Sequence, residues 1–249
     1  MSSSNCDADI QHGTKEIYPA ALIIDLSNEQ NMIRIPESAY EAEILQQAEM
    51  FETTFQDAGY FISTGRIVEH RTREYITDNT GAENSVPLYR PHNVTPLSAT
   101  WTGEHKKDVS VMLSNGHEKH TMKNGTYVLL KRFSSKDEKR RLVAAVHLAE
   151  MHDCQLIGFG NKTNYIGLKE GVLSSAEAYG IAAVFNSSFM DRYFRSISGN
   201  TQVNASEIRF MKFPSRNQVR DVGRQAQRLK MNSPAEIDLI VNSTLDLPV

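Results

Sequence analysis

The feature that most constrains the fold is a change of hydrophobic period along the chain. Up to residue 159 the apolar residues fall in short runs, at 20–26, 109–113, 127–133, 142–148 and 154–159, separated by glycines, prolines and polar turns. Runs of this length read as strands, although 142–148 also fits a helix. From Ser174 onward the spacing becomes three and four. Tyr179, Ala182, Ala183, Asn186, Phe189 and Tyr193 lie on one stripe, ended by Gly199, and Val219, Val222, Ala226 and Leu229 lie on the next. Ser174 or Ser175 is placed to cap the first stripe, and Ser215 with Gln218 forms a capping box. Ser233-Pro234-Ala235-Glu236 repeats that signal with proline at the first helical position. The pattern predicts an α+β fold, with sheet-rich material first and helices concentrated in the C-terminal third.

A helix is also expected early. Pro36 opens a stretch over residues 37–58 whose apolar positions, Tyr40, Ile44, Ala48, Phe51 and Phe55, keep helical spacing, and Gly59 is a natural stop. Residues 60–68 read as strand, turn and strand about Thr64-Gly65. Residues 78–107 read as loops with short strands, and Asn124-Gly125 is a hairpin-type turn signal. Residues 1–16 are polar, lack the apolar core of a signal peptide, and read as a disordered lead-in. No apolar run reaches the roughly 18 residues of a membrane helix. Two cysteines, Cys6 and Cys154, make no disulfide framework, so a reducing cytoplasm is the expected location.

The net charge of −3 is unevenly spread. Residues 1–62 carry 11 Asp/Glu against 2 Lys/Arg, a balance of −9; residues 63–249 carry 19 against 25, a balance of +6. A nucleic acid responds to the local patch, not the total. The densest patch, residues 119–141, holds eight Lys/Arg and two acids, centred on Lys131-Arg132-Phe133-Ser134-Ser135-Lys136. Cations and hydroxyls at a strand end can clamp a phosphate, and the same residues also make an ordinary solvated turn. A second basic region, residues 192–230, has nine Lys/Arg and two acids. Inside it lies Ser198-Gly199-Asn200-Thr201-Gln202-Val203-Asn204. Its amide side chains can pair two-point with an adenine edge or can satisfy their own backbone, and composition does not separate the two.

The catalytic inventory is mostly negative. There is no glycine-rich nucleotide loop after a first strand, no Asn/Asp-Pro-Pro-Tyr/Phe tetrapeptide to hold a flipped base, no Walker loop and no nucleophile elbow. Glu104-His105-Lys106 with Asp78 is the nearest approach to a nuclease cluster. His117 with His120, and His147 with His152 and Cys154, fall short of a four-ligand zinc set, so no metal site is expected.

From about Ile17 onward the chain resembles the C-terminal half of the gamma-type, adenine-specific DNA methyltransferases of bacterial restriction-modification systems. The resemblance rests on an ordered series: Ser63-Thr64-Gly65-Arg66-Ile67-Val68 with Arg71, Val86-Pro87-Leu88-Tyr89-Arg90-Pro91-His92-Asn93, residues 127–136, Asn161 through Tyr165, Asn186-Ser187-Ser188 with Asp191-Arg192-Tyr193-Phe194-Arg195, and Gly199 through Asn204. Gly160 departs from it, standing where a polar or acidic residue is expected.

The resemblance implies a strand and acidic helix over 17–62 and a target-recognition domain over 63–249, built as one unit or two packed subdomains. It implies double-stranded DNA as partner, with Arg66, Arg71, Lys131, Arg132, Ser134, Ser135, Lys136, Arg192 and Arg195 on phosphates. Asn161, Asn164, Tyr165, Thr201, Gln202 and Asn204 become candidates for base contacts or for ordering the reading loops. S-adenosylmethionine is expected on a catalytic domain or subunit whose motifs these residues lack, so this chain carries no cofactor or catalytic residue of its own. The alternatives are a free-standing specificity subunit and a restriction endonuclease sharing the recognition fold.

Overall fold

The computed structural model describes residues 17–25, 32–34, 36, 38–114, 116–134, 138–198, 200–229 and 233–247. The expected lead-in, and Ser135, Lys136 and Gly199, lie outside them. The chain is α+β, with its helices concentrated toward the C-terminus.

The strand expected over 20–26 is not seen over residues 20–25, and Leu26 lies outside the described residues. Ala20–Ile23 is one helical turn, and only Ile24–Asp25 is extended, paired with Met32–Ile33. The early helix, α1, covers Ala39–Ala48 and not 37–58. Ser38 caps it, its hydroxyl accepting from Glu41 N at 3.2 Å. Phe51 and Phe55 are buried as the spacing requires, but on turns. The chain leaves the helix because Thr53–Thr54 pairs antiparallel with Lys212–Phe213, and the Phe55 ring meets Phe213 at 5.0 Å. Long-range pairing overrides local periodicity here.

Eleven strands build two sheets: β1 (Tyr60–Thr64), β2 (Ile76–Thr77), β3 (Ser85–Tyr89), β4 (Val94–Thr95), β5 (Leu97–Ala99), β6 (Ser110–Met112), β7 (Met122–Lys123), β8 (Tyr127–Lys131), β9 (Ala144–His147), β10 (Leu156–Phe159) and β11 (Thr163–Leu168). One sheet has the order β1-β11-β8-β9-β5-β4 and is antiparallel except at β9/β5. The other has the order β7-β10-β3-β6-β2 and is antiparallel except at β10/β3. The helices α2 (Ser175–Asn186), α3 (Ser188–Ile197), α4 (Ala205–Phe210), α5 (Arg216–Ala226) and α6 (Pro234–Leu245) follow.

The six-stranded sheet is the middle layer. Val128, Leu130, Ala144, Val146 and Ile166 point to the helices. Leu129, Ala145 and Tyr165 alternate with them and point to the second sheet, against Tyr89, Ile157 and Phe159. Burial on both faces explains why β8 and β9 read as near-continuous apolar runs. The core on the helix side runs from Leu22 and Leu45 through Phe55 to Phe213 and Val241, joining both ends of the described chain. Helix α2 crosses α5 at Gly180 and Gly223. A Cβ on either would lie 1.9 or 1.7 Å from a backbone oxygen of the other helix, so the axes approach this closely only because both side chains are absent.

The single stripe expected over 174–193 is two helices. Ser187 breaks it with an extended backbone (φ −73°, ψ 151°), and its hydroxyl caps α3. The break lets Asn186 and Asp191 both clasp the strand opposite. Asn186 pairs with the Ala144 backbone through Oδ1 (3.1 Å) and Nδ2 (2.7 Å), and Asp191 Oδ1 accepts from Arg141 N (2.6 Å) and Leu142 N (2.8 Å).

Asn124-Gly125 is not a hairpin turn, because β7 and β8 belong to different sheets. Asn124 instead anchors a polar network between them. Its Nδ2 donates to the carbonyls of Ala149, His152 and Cys154. Its Oδ1 must therefore accept from His147 Nε2 (3.0 Å), leaving His147 Nδ1 to accept from the Tyr89 hydroxyl (3.2 Å), which in turn accepts from His152 Nε2 (2.9 Å). Burial, with His152 nearby, pushes the His147 pKa down to about 3. No helix among the described residues is long and apolar enough to cross a membrane.

Candidate nucleic-acid interface

Four segments far apart in sequence meet where β8 ends and β11 begins: residues 64–67, 131–134, 160–163 and 200–204. Gly65 lets the 64–67 and 160–163 segments touch. A Cβ there would lie 2.2 Å from Gly160 O, so no larger residue fits. Gly65 N donates to Thr163 O (2.9 Å), Ile67 N to Phe159 O (3.1 Å) and Asn161 N to Ile67 O (2.8 Å). Arg66 is held between these anchors and is exposed.

Arg132 ties the remaining segments together. Its backbone donates to Lys162 O (3.1 Å) and accepts from Val203 N (2.7 Å). Its guanidinium donates to Asn161 O (3.1 Å) and to Gln202 Oε1 (3.2 Å). Phe133 bridges antiparallel to Gln202, and Ser134 N donates to Thr201 O (3.1 Å). Arg132 is thus half-buried and partly committed to protein acceptors, whereas Arg66, Lys131 and Lys162 carry no ion pair among the described residues.

The six amide and hydroxyl candidates divide by burial. Asn161, Thr201 and Gln202 sit on the surface of this corner, half-buried or exposed. Asn164 is fully buried, accepting from Thr64 Oγ1 (3.0 Å) and donating to Val203 O (2.8 Å). Tyr165 is buried in an aromatic group with Phe61, Tyr127 and Phe159. Both are placed to order the loops from beneath. Asn204 is the N-cap of α4, with Glu207 returning its carboxylate to Asn204 N (3.3 Å).

The cationic candidates divide too. Ser134 is buried, and its hydroxyl accepts from Arg141 Nε (3.3 Å). Arg71 is exposed on the turn after Val68, its N–H donating to Val68 O, outside the corner. Arg192 and Arg195 belong to a second, predominantly basic group with Lys139 and Arg140, around a cavity of about 470 Å³ that Glu41 and Asp191 also line. The Arg192 guanidinium lies 4.6 Å over the Tyr40 ring and bonds its hydroxyl; Arg195 pairs with Asp191 (2.8 Å) and donates to Glu138 O (2.7 Å).

Between the two groups stands Arg141, whose role the sequence did not signal. It is 1% exposed, lies over the Phe194 ring at 5.1 Å, and donates to Ser198 O (3.2 Å) and Asn200 O. Burial lowers its pKa, and neighbouring Arg195 adds to the effect against the opposing charge of Asp191. A buried guanidinium bonded to the carbonyls of Ser198 and Asn200 ties both residues to the segment that leads into β9. Nothing in the pattern of residues 139–141 distinguishes this arginine from exposed Lys139 and half-buried Arg140 beside it.

Among the described residues one group, His92, His105 and Asp108, gathers possible metal ligands within 4.8 Å. Asp108 is already occupied: it pairs with His92 Nε2 (3.0 Å) and accepts from Asn93 Nδ2 (2.8 Å) and from the N–H groups of Thr102 (3.2 Å) and Gly103 (3.1 Å). Burial opposes its ionisation, but these hydrogen bonds outweigh burial and hold its carboxyl below the usual range. The geometry is that of a carboxylate holding the 100–108 loop.

No protein-family model matches the chain. It is 33% identical over 246 residues to the type II methyltransferase M.PstI of Providencia stuartii, covering 98% of this chain and 48% of that protein. It is 34% identical over 207 residues to the type II methyltransferase M.BsuBI of Bacillus subtilis, covering 83% of this chain and 41% of that protein. The chain therefore spans about half the length of the curated relatives it matches, and it is homologous to type II methyltransferases over that span.

Proposed function

We propose that this chain is the sequence-specific DNA-recognition module of an adenine-specific DNA methyltransferase of a restriction-modification system, acting in the cytoplasm. The observation that carries the reading is the corner at the end of β8. Four separate segments converge there, every charged side chain on them is positive, and Arg66, Lys131 and Lys162 are left without ion pairs. Fixed cations beside a rigid set of amide side chains suit a duplex, with phosphates positioning the protein and amides meeting base edges. Arg192 and Lys139, at the second basic group, extend the phosphate-binding surface.

Asn161, Thr201 and Gln202 are the proposed base-reading side chains, and Asn164, Tyr165 and Asn204 hold their loops. Methyl transfer belongs in this reading to a catalytic domain or subunit that binds S-adenosylmethionine, since the 249 residues contain no base-holding tetrapeptide. Homology to type II methyltransferases supports the pairing.

The test is binding to mixed-sequence duplex DNA across a salt series. Lys131→Gln is expected to weaken binding to all sequences and to lower the salt slope by about one unit, as for one lost phosphate contact. A parent chain that binds no duplex, or a slope unchanged in Lys131→Gln, would overturn the assignment.

A further inference from the structure

Phe133 is the one residue of the corner whose chemistry the phosphate and amide contacts do not use. It is 45% exposed and lies outside all three apolar clusters of the protein. Among the described residues no other ring packs on it; only the Arg132 guanidinium stands over its ring, 5.5 Å from the centroid. Nor can it fold away. Its backbone bridges Gln202, with Ser134 N bonded to Thr201 O on one side and Val203 N bonded to Arg132 O on the other. A large apolar ring is thus presented to solvent from a rigid backbone, backed by a pinned cation, on converging segments whose own charged residues are all positive.

We infer that Phe133 is a base-stacking side chain, taking the face of a nucleobase displaced from the duplex stack. The inference rests on the DNA-recognition reading and adds a contact to it. A nucleobase fits better than an apolar protein surface because the surrounding charges, Arg66, Lys131, Arg132 and Lys162, have no acid among them and would be left unpaired under a greasy partner. Phosphates flanking a displaced base neutralise them. Every base offers a π-face, so the contact is sequence-tolerant, and the guanidinium behind the ring adds a cation–π layer to the stack.

The experiment compares the full chain with Phe133→Ala, Phe133→Leu and Phe133→Trp. The probes are a short mixed-sequence duplex and the same duplex carrying one extrahelical adenine. The parent is expected to prefer the second probe. Phe133→Ala should lose about tenfold in affinity for it, at an unchanged salt slope, since no phosphate contact is removed. Phe133→Leu should not recover the loss, and Phe133→Trp should recover it, with emission quenched on binding beyond the change shown by Trp101 in the parent. Unchanged melting temperatures across the series, expected for an exposed side chain, separate binding from folding. If the parent binds DNA and Phe133→Ala binds each probe as tightly as the parent does, stacking is overturned while the DNA reading stands. Full recovery by Phe133→Leu would likewise overturn stacking in favour of plain apolar contact. If the parent binds neither probe, both readings fall.

Discussion

Strand β8 has a polar network at each end, and the two are built to opposite purposes. At its start, Asn124, His147, Tyr89 and His152 form a chain in which each donor has an assigned acceptor, sealed between the two sheets. At its finish, Arg132, Asn161 and Gln202 form a network closed on the protein side and open on the other, with Arg66, Lys131 and Lys162 around it. A closed buried network rigidifies and offers nothing to a ligand, whereas a network with spare donors above a satisfied base is a binding surface. In the proposed reading the same strand therefore separates what holds the fold from what meets DNA.

Four changes would break or sharpen this contrast. The largest is Asn124→Ala. It leaves the His147 Nε2 proton and three carbonyls without their partner and should cost about 3 kcal/mol of stability, read by denaturant unfolding. DNA binding well below the transition should be unaffected; a variant as stable as the parent would show that water replaces the network.

Acidification is next. His147 is pushed to about 3 and His152 is lowered by burial, so the folded state disfavours their charged forms. Their contribution is fully present above the ordinary histidine value near 6.5. It is lost as pH falls below that value, by about 2 kcal/mol at pH 5 from His147 alone. Melting temperature against pH should fall over this window in the parent and less steeply in His147→Gln.

At the open end, Arg132→Met removes the guanidinium that joins Asn161 to Gln202. Affinity for duplex DNA should fall by about 1–2 kcal/mol, with protection from hydrogen exchange lost at residues 160–163 and 200–204. Loss of binding without loosening of either loop would make Arg132 a phosphate contact only. The smallest effect is Gln202→Ala, about 1 kcal/mol, expected in preference among DNA sequences and not in stability. Equal binding to all sequences by parent and variant would assign Gln202 to loop order.

Much of the local structure was readable because its causes are local. Ser174 with Glu177, Ser215 with Gln218 and Ser233 with Glu236 close capping boxes within three residues, and all three helices begin where those signals stand. The strand runs at 109–113, 127–133, 142–148 and 154–159 were legible from apolar content. Errors came where a distant partner decided. The periodicity from Tyr40 to Phe55 is helical throughout, yet Thr53–Thr54 leaves the helix to pair with Lys212–Phe213. Asn124-Gly125 has the composition of a tight turn, yet β7 and β8 diverge into different sheets.

The candidate interface divides in the same way. The family resemblance marked Arg66, Lys131, Arg132, Asn161, Thr201 and Gln202 as candidates, and the fold brings all six to one corner. It also marked Ser134, Asn164 and Tyr165, which the fold buries, because an amide or hydroxyl has the same formula whether it faces a base or a backbone carbonyl. Arg141 and Phe133 were only letters in a basic stretch. In the fold one is a buried clamp on Ser198 O and Asn200 O, and the other an exposed ring on a backbone bridged to Gln202.

By itself, then, the sequence determined the fold class, the capped starts of α2, α5 and α6 and the sign of the charge, since these depend on neighbours a few bonds away. Which cations stay free, which amides turn inward and where four loops meet were decided only by the tertiary structure. Burial and hydrogen-bond partnership are properties of residues far apart in the chain, as Thr53 Oγ1 donating to Phe213 O across 160 positions illustrates.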